Sequence, residues 1–281
     1  EPKNGDLYAR RSKAHAEMRH RDQAIADCTK ALDCNPKNGE LWARRGQLHA
    51  ETGQWDKAAA DYSQALALKA DDREVHRRRG LAYAESGQWA KAAADFGKAM
   101  SLGGTDVRLW QQHALTLLAA GDVRGYRRAC LRLSRRYGTS DDDATARTAA
   151  WTCVLAPDAV PDLKPLLLRA ERAAAASPGH APALQAWGAL LYRSGQYAAA
   201  VQRLEEAAKS RKAADPLDAL LLAMAHQRAG RPDEARKWLR QASEAINEAS
   251  RQKPEAGGPT WGQRLAWQVL HKEAGELVKR P

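Results

Sequence analysis

Arginine and glutamate recur in the N-terminal third of the chain at a fixed spacing. Arg10, Arg44 and Arg78 lie 34 residues apart, and so do Glu17, Glu51 and Glu85. Lys13 and Gln47 follow the first two arginines by three residues, where the third copy has Leu81. A guanidinium is a planar fork that meets a carboxylate through two hydrogen bonds, so a row of such groups is a candidate seat for an acidic peptide. Lys13 and Glu17, like Gln47 and Glu51, are i, i+4 neighbours, so part of this row can satisfy itself. A second series, Arg11, Arg45 and Arg79, keeps company with Asp27, Asp61 and Asp95. Its threefold recurrence predicts an arginine–aspartate bridge within each copy, structural in role.

Other chemistries are poorly represented. The sequence has no Gly-rich phosphate loop, no H-E-x-x-H and no G-x-S-x-G, and a non-catalytic protein without cofactor, metal or small-molecule substrate is expected. Cys28, Cys34, Cys130 and Cys153 form no C-x-x-C pair and no zinc spacing. They read as free thiols in a reducing compartment, which places the protein in the cytoplasm. His15 and His49 sit where other copies carry a packing ring. Asp141, Asp142 and Asp143 read as solvated charge or as help for a following helix N-terminus.

The 281 residues carry 45 Lys+Arg against 34 Asp+Glu, a formal charge of +11, with 44% hydrophobic residues. That much apolar side chain suffices for a core. No run approaches the roughly 18 apolar residues of a bilayer span, so no membrane role is expected. The opening Glu1-Pro2-Lys3 has neither methionine nor an apolar leader, which reads as a fragment of something longer. The positive charge prompts nucleic-acid binding as a second reading. Basic and acidic residues are interspersed, however, and no nucleic-acid module is recognisable, which disfavours it.

The elements that position these side chains follow from the same period. Residues 5–38, 39–72 and 73–106 are three copies of one unit. A large residue stands fourth (Tyr8, Trp42, His76), a small one eighth (Ser12, Gly46, Gly80) and a ring eleventh (His15, His49, Tyr83). Alanine stands twentieth (Ala24, Ala58, Ala92) and twenty-seventh (Ala31, Ala65, Ala99), with Cys28, Tyr62 and Phe96 twenty-fourth. Positions 4, 8 and 11 share one helical face and positions 20, 24 and 27 another. Gly53 and Gly87 end the first helix, and Pro36 closes the first unit. Each unit is a helical hairpin that buries its face only by stacking on the next.

These residues resemble the tetratricopeptide repeat (TPR) family, whose period is 34 residues and whose W…G…Y/H…G-x-W…A…Y/F…A pattern recurs here. The resemblance implies an all-α, right-handed α-solenoid of about seven hairpins plus a C-terminal capping helix. Repeats one to four occupy 5–140, the fourth with Trp110, Ala114, Leu117 and Gly121, and with Tyr126 where alanine is expected. Repeats five to seven occupy 141–249, the fifth degenerate around "APDAVPD" (156–162). Residues 250–281 hold a Pro/Gly loop, Thr260 as a helix N-cap, and the capping helix. One continuous array is expected. Residues 107–281 are also similar to TPR regions of large bacterial proteins that carry serine/threonine kinase or WD-type domains, which implies an interaction segment of a signalling protein.

In this family the first helices line a concave groove through positions 2, 5, 6, 9, 12 and 13. The resemblance therefore places Arg10, Arg44, Arg78, Lys13, Gln47, Glu17, Glu51 and Glu85 in a peptide-binding groove. Arg78 matches the arginine of the family's carboxylate clamp. Lys13 and Arg44 replace its asparagines, and Ala9 and Glu74 its lysines, so a chaperone tail is a poor fit. In repeats six and seven Gln185, Ala189, Tyr192, Arg193, Leu220, Leu221, Met224 and Gln227 would line the groove. That end is more apolar, and the C-terminal helix is expected to cover it. The sequence thus reads as a protein-interaction scaffold or adaptor. The alternatives are a basic nucleic-acid surface, or a regulatory or oligomerising arm of an enzyme outside this chain.

Overall fold

The computed structural model describes residues 2–211, 215–251 and 258–279. Among them are fifteen α-helices and no strand. No helix there is long and apolar enough to cross a membrane. The chain divides into two compact units, Glu1–Ala120 and Gly121–Pro281. The division falls inside the stretch read as repeat four, where the period alone predicts an unbroken array.

The N-terminal unit holds three hairpins and a seventh helix. They are α1 (Pro2–Glu17) with α2 (Arg21–Cys34), α3 (Gly39–Glu51) with α4 (Trp55–Leu68), α5 (Arg73–Glu85) with α6 (Trp89–Ser101), and α7 (Val107–Ala119). Each second helix packs on the next first helix, α2 on α3, α4 on α5 and α6 on α7. Helix starts repeat with the sequence. Asn38 accepts from the amides of Glu40 and Leu41, Asp72 from those of Glu74 and Val75, and Asp106 from that of Arg108. The fourth-position rings tie down the turn before them. Trp42 Nε1 donates to the Pro36 carbonyl at 2.8 Å, and Trp110 Nε1 to that of Gly104 at 3.1 Å. His76 Nε2 lies 2.9 Å from the Ala70 carbonyl.

The hairpin halves touch where small meets large. A Cβ on Gly80 would stand 2.9 Å from the Phe96 ring, and one on Gly46 3.0 Å from Tyr62. The first copy makes the opposite choice. Ser12 stands at the small position, and its hydroxyl donates to the Ala24 carbonyl at 2.8 Å beside the smaller Cys28. The turn glycines Gly53 and Gly87 have φ of 71° and 74°, and Arg19 holds the same place in the first copy with φ 61°.

The C-terminal unit runs α8 (Val123–Tyr137), α9 (Asp143–Val154), α10 (Lys164–Ala176), α11 (Ala181–Arg193), α12 (Tyr197–Lys209), α13 (Pro216–Arg228), α14 (Pro232–Ser250) and α15 (Trp261–Val278). Helix α8 packs on α9, and α9 also meets α10 and α11. Tyr126 is the reason for α8's placement. Its ring is fully buried, and its hydroxyl donates to the Thr152 carbonyl of α9 at 2.6 Å. Helices α11/α12 and α13/α14 are hairpins again, and α15 packs on α13 and α14. Thr260 caps α15 reciprocally with Gln263. Most of the Pro/Gly loop before it, 252–257, lies outside the described residues.

Candidate functional site

The first helices of the N-terminal unit carry the residues that the family resemblance assigns to a groove. Arg10, Lys13, Glu17, Gln47 and Glu51 are exposed, while Arg44, Arg78 and Glu85 are half-buried. Two of the three arginines engage the repeat before them. Arg44 Nη1 donates to the Ala9 carbonyl at 3.1 Å, and Arg78 Nη1 donates to Gln47 Oε1. Gln47 Nε2 donates to Glu51 at 3.0 Å, and Arg21 reaches the same carboxylate at 3.1 Å. Arg77 holds Glu74 with both arms of its fork at 2.8 and 2.7 Å, and Arg78 adds a third bond at 2.7 Å. The Arg77 bonds, with help from Arg78, hold the Glu74 carboxyl down at about 2 against the cost of its burial. Arg10 and Lys13 make no ion pair among the described residues. Glu74 stands where the family's clamp has a lysine, and its role as a tether for both arginines carries no periodic signal.

The second arginine series does what its recurrence predicts. Arg11 meets Asp27 at 2.6 and 2.7 Å, Arg45 meets Asp61 at 2.8 and 2.7 Å, and Arg79 meets Asp95 at 2.7 and 2.8 Å, each through two bonds. All three aspartates are buried. The same forks also join neighbouring copies. Arg45 Nη1 donates to Thr29 Oγ1 and Arg79 Nη1 to Ser63 Oγ, both at 3.1 Å. Thr29 and Ser63 are themselves 34 residues apart, a signal the repeat pattern contained. The next copy has Gly97, His113 and Ala129 at the hydroxyl, arginine and aspartate positions, so the device ends there.

The C-terminal unit treats the same positions differently. Ala189, Leu220, Leu221 and Met224 are fully buried, and Gln185 and Tyr192 nearly so. Arg193 is only 7% exposed, and its fork meets Glu273 of α15 at 2.5 and 2.7 Å. Its Nε donates to the Val154 carbonyl at 2.7 Å. The apolar groove end is thus covered by the C-terminal helix. Beside it Gln185 Nε2 donates to Asp218 at 2.8 Å, and the Arg211 guanidinium lies 2.8 Å from the other oxygen. Burial pushes the Asp218 carboxyl up to about 6 despite Arg211.

The remaining reactive groups belong to the scaffold. Cys28, Cys130 and Cys153 are buried free thiols and Cys34 an exposed one. Asp142 caps α9 by accepting from the Thr145 amide at 2.9 Å, and Asp143 pairs with Arg169. Among the described residues no three His, Cys, Asp or Glu side chains are arranged to hold a metal ion.

Family comparison agrees with this geometry. Residues 46–87 match a family model described as TPR repeat, and residues 28–60 and 191–253 match two described as tetratricopeptide repeat. The chain carries tetratricopeptide repeats. No curated protein sequence matches it. Among solved structures, a tetratricopeptide repeat protein from Parabacteroides merdae ATCC 43184 superposes with a TM-score of 0.64. It is 12% identical, over 95% of this chain and 99% of that one. YrrB, a TPR protein with an unusual peptide-binding site, superposes with a TM-score of 0.51 at 18% identity, over 66% of this chain and 92% of its own. At these identities the likeness is one of fold. The matched TPR segments fall in both units, so the exposed first-helix row of one and the covered row of the other belong to the same kind of repeat.

Proposed function

We propose that the protein is a non-catalytic adaptor whose N-terminal unit receives an acidic partner segment along α1, α3 and α5. Arg10 and Lys13 supply the open cations, Arg44 and Arg78 border them, and Gln47 continues the row. Glu17, Glu51 and Glu85 form an acidic edge that rejects segments in the wrong register. The observation that carries this reading is the exposure of Arg10 and Lys13, ion-unpaired, on a first-helix row whose counterpart in the other unit is buried. The TPR scaffold supports a protein partner, and one neighbour of the same fold is described as having a peptide-binding site. The reading extends, on the motifs of residues 107–281 alone, to a segment of a larger cytoplasmic signalling protein.

A displayed heptapeptide library selected on the full chain tests the site. The expected consensus is acidic, and Arg10→Glu with Lys13→Glu weakens the selected peptide at least about tenfold, the scale of one charge-assisted contact. A consensus without acids, or affinity indifferent to that variant, refutes the groove assignment.

A further inference from the structure

The interspersion of charge that holds along most of the chain fails in one helix. Helix α8, VRGYRRACLRLSRRY, contains six arginines and no acid. Arg124, Arg127, Arg128, Arg132, Arg135 and Arg136 are all exposed. At about 100° per residue they fan over about 180° of the helix, with Arg127 and Arg136 at the two edges and Arg124, Arg128, Arg132 and Arg135 between. The fan is about 18 Å long. Its opposite face, Tyr126, Ala129, Cys130 and Leu133, is buried in the unit's own core.

Little inside the protein neutralises this face. Arg127 lies 3.8 Å from the exposed Asp158, and Arg136 Nε donates to the Tyr137 hydroxyl at 3.1 Å. The four central arginines make no ion pair among the described residues. The acids that follow α8 are committed elsewhere or stand apart: Asp142 caps α9, Asp143 pairs with Arg169, and Asp141 is exposed.

We infer that α8 is a sequence-independent docking face for the phosphodiester backbone of duplex DNA. Arginine forks match phosphate geometry, and duplex DNA offers such a row a dense, regular negative charge, one per about 1.7 Å of axis. A fan spanning half the helix reaches phosphates on both walls of a groove about 12 Å wide. A membrane fits less well, because an interfacial helix needs a free apolar face and that of α8 is buried. An acidic protein segment fits less well, because an extended chain meets one stripe of a helix and this fan covers about 180° of it.

The test is fluorescence anisotropy of the full chain on a mixed-sequence 20-bp DNA duplex between 50 and 200 mM NaCl. With four phosphates neutralised, affinity should fall about 150-fold over that range. Changing Arg124, Arg128, Arg132 and Arg135 to Gln should weaken binding at least about 50-fold at 100 mM salt and flatten the salt slope by about 3.6. A charge-matched control, Lys57, Lys91, Arg236 and Lys237 to Gln, should change it less than about threefold if charge acts locally. Circular dichroism melts confirm that both variants fold. Equal losses in the two variants, no duplex binding at 50 mM salt, or tighter binding to poly-glutamate or to anionic vesicles than to DNA would each overturn the assignment.

Discussion

The two units place the same helix positions in opposite environments. In the N-terminal unit the groove positions of α1 and α3 present Arg10, Lys13, Gln47 and Glu51 to solvent. In the C-terminal unit those of α11 and α13 present Ala189, Leu220, Leu221 and Met224, all fully buried. Polar groove positions cost little when left in water, whereas a row of leucine and methionine must be covered. Helix α15 supplies the cover, pinned by the Arg193–Glu273 pair. The same helix positions are therefore left in water where they are polar and covered by the chain's own terminus where they are apolar.

The sharpest way to break this contrast is to release α15. Glu273→Ala leaves Arg193 buried without its carboxylate and should cost about 3 kcal/mol in urea unfolding, with amides of α15 losing exchange protection first. A loss under about 0.5 kcal/mol would mean that the helix is held by its apolar face alone.

Acid should separate the units next. Asp218 sits near 6 in the folded state against about 3.9 unfolded, so between those values the folded chain binds more protons. The Asp218 contribution to the C-terminal unit's stability should therefore rise by about 2 kcal/mol from pH 7 to pH 4, read as the difference between the native chain and Asp218→Asn, because buried His226, held below its ordinary value, opposes it. The N-terminal unit runs the other way at lower pH. Glu74, held near 2, contributes stability that is complete above about pH 4.5 and is lost as pH falls toward 2. Melting curves at pH 7, 4.5 and 3 read both trends, and a pH dependence between 7 and 4.5 that Asp218→Asn leaves unchanged would contradict the account of Asp218.

The Arg–Asp forks of the N-terminal unit sharpen the contrast further. A double-mutant cycle of Arg45→Ala and Asp61→Ala should show coupling of about 1.5 kcal/mol, the double change costing less than the sum of the two single changes. Strict additivity would deny the bridge. The smallest effect belongs to the first hairpin turn. Arg19 occupies a left-handed conformation that glycine takes in later copies, so Arg19→Gly should stabilise the N-terminal unit by about 1 kcal/mol in urea unfolding.

What could be read in advance followed the period. The hairpins, their caps and turns, and the three Arg–Asp forks all lie at fixed offsets, so three copies in register expose them. Features that break the period were hidden. Arg193 and Glu273 stand 80 residues apart on elements that no repeat relates. Tyr126 was visible as a misfit for alanine, but its bond to the Thr152 carbonyl depends on which neighbour accommodates the ring, and no repeat position marks the division of the chain at 120/121. The bonds from Arg44 to Ala9 and from Arg78 to Gln47 join first helices of successive copies. Their acceptors differ in kind, a carbonyl in one case and an amide in the other, so recurrence could not announce them.

The central claim, one groove open and one filled, is read most directly by thiol labelling of the full chain. In a Cys34→Ser background, which leaves only buried native thiols, Lys13→Cys and Met224→Cys are compared for their rates with a small maleimide. The account predicts that Lys13→Cys labels at the rate of a free thiol, and that Met224→Cys is slower by about 100-fold or more until urea unfolds the C-terminal unit. Equal rates in native buffer would contradict it.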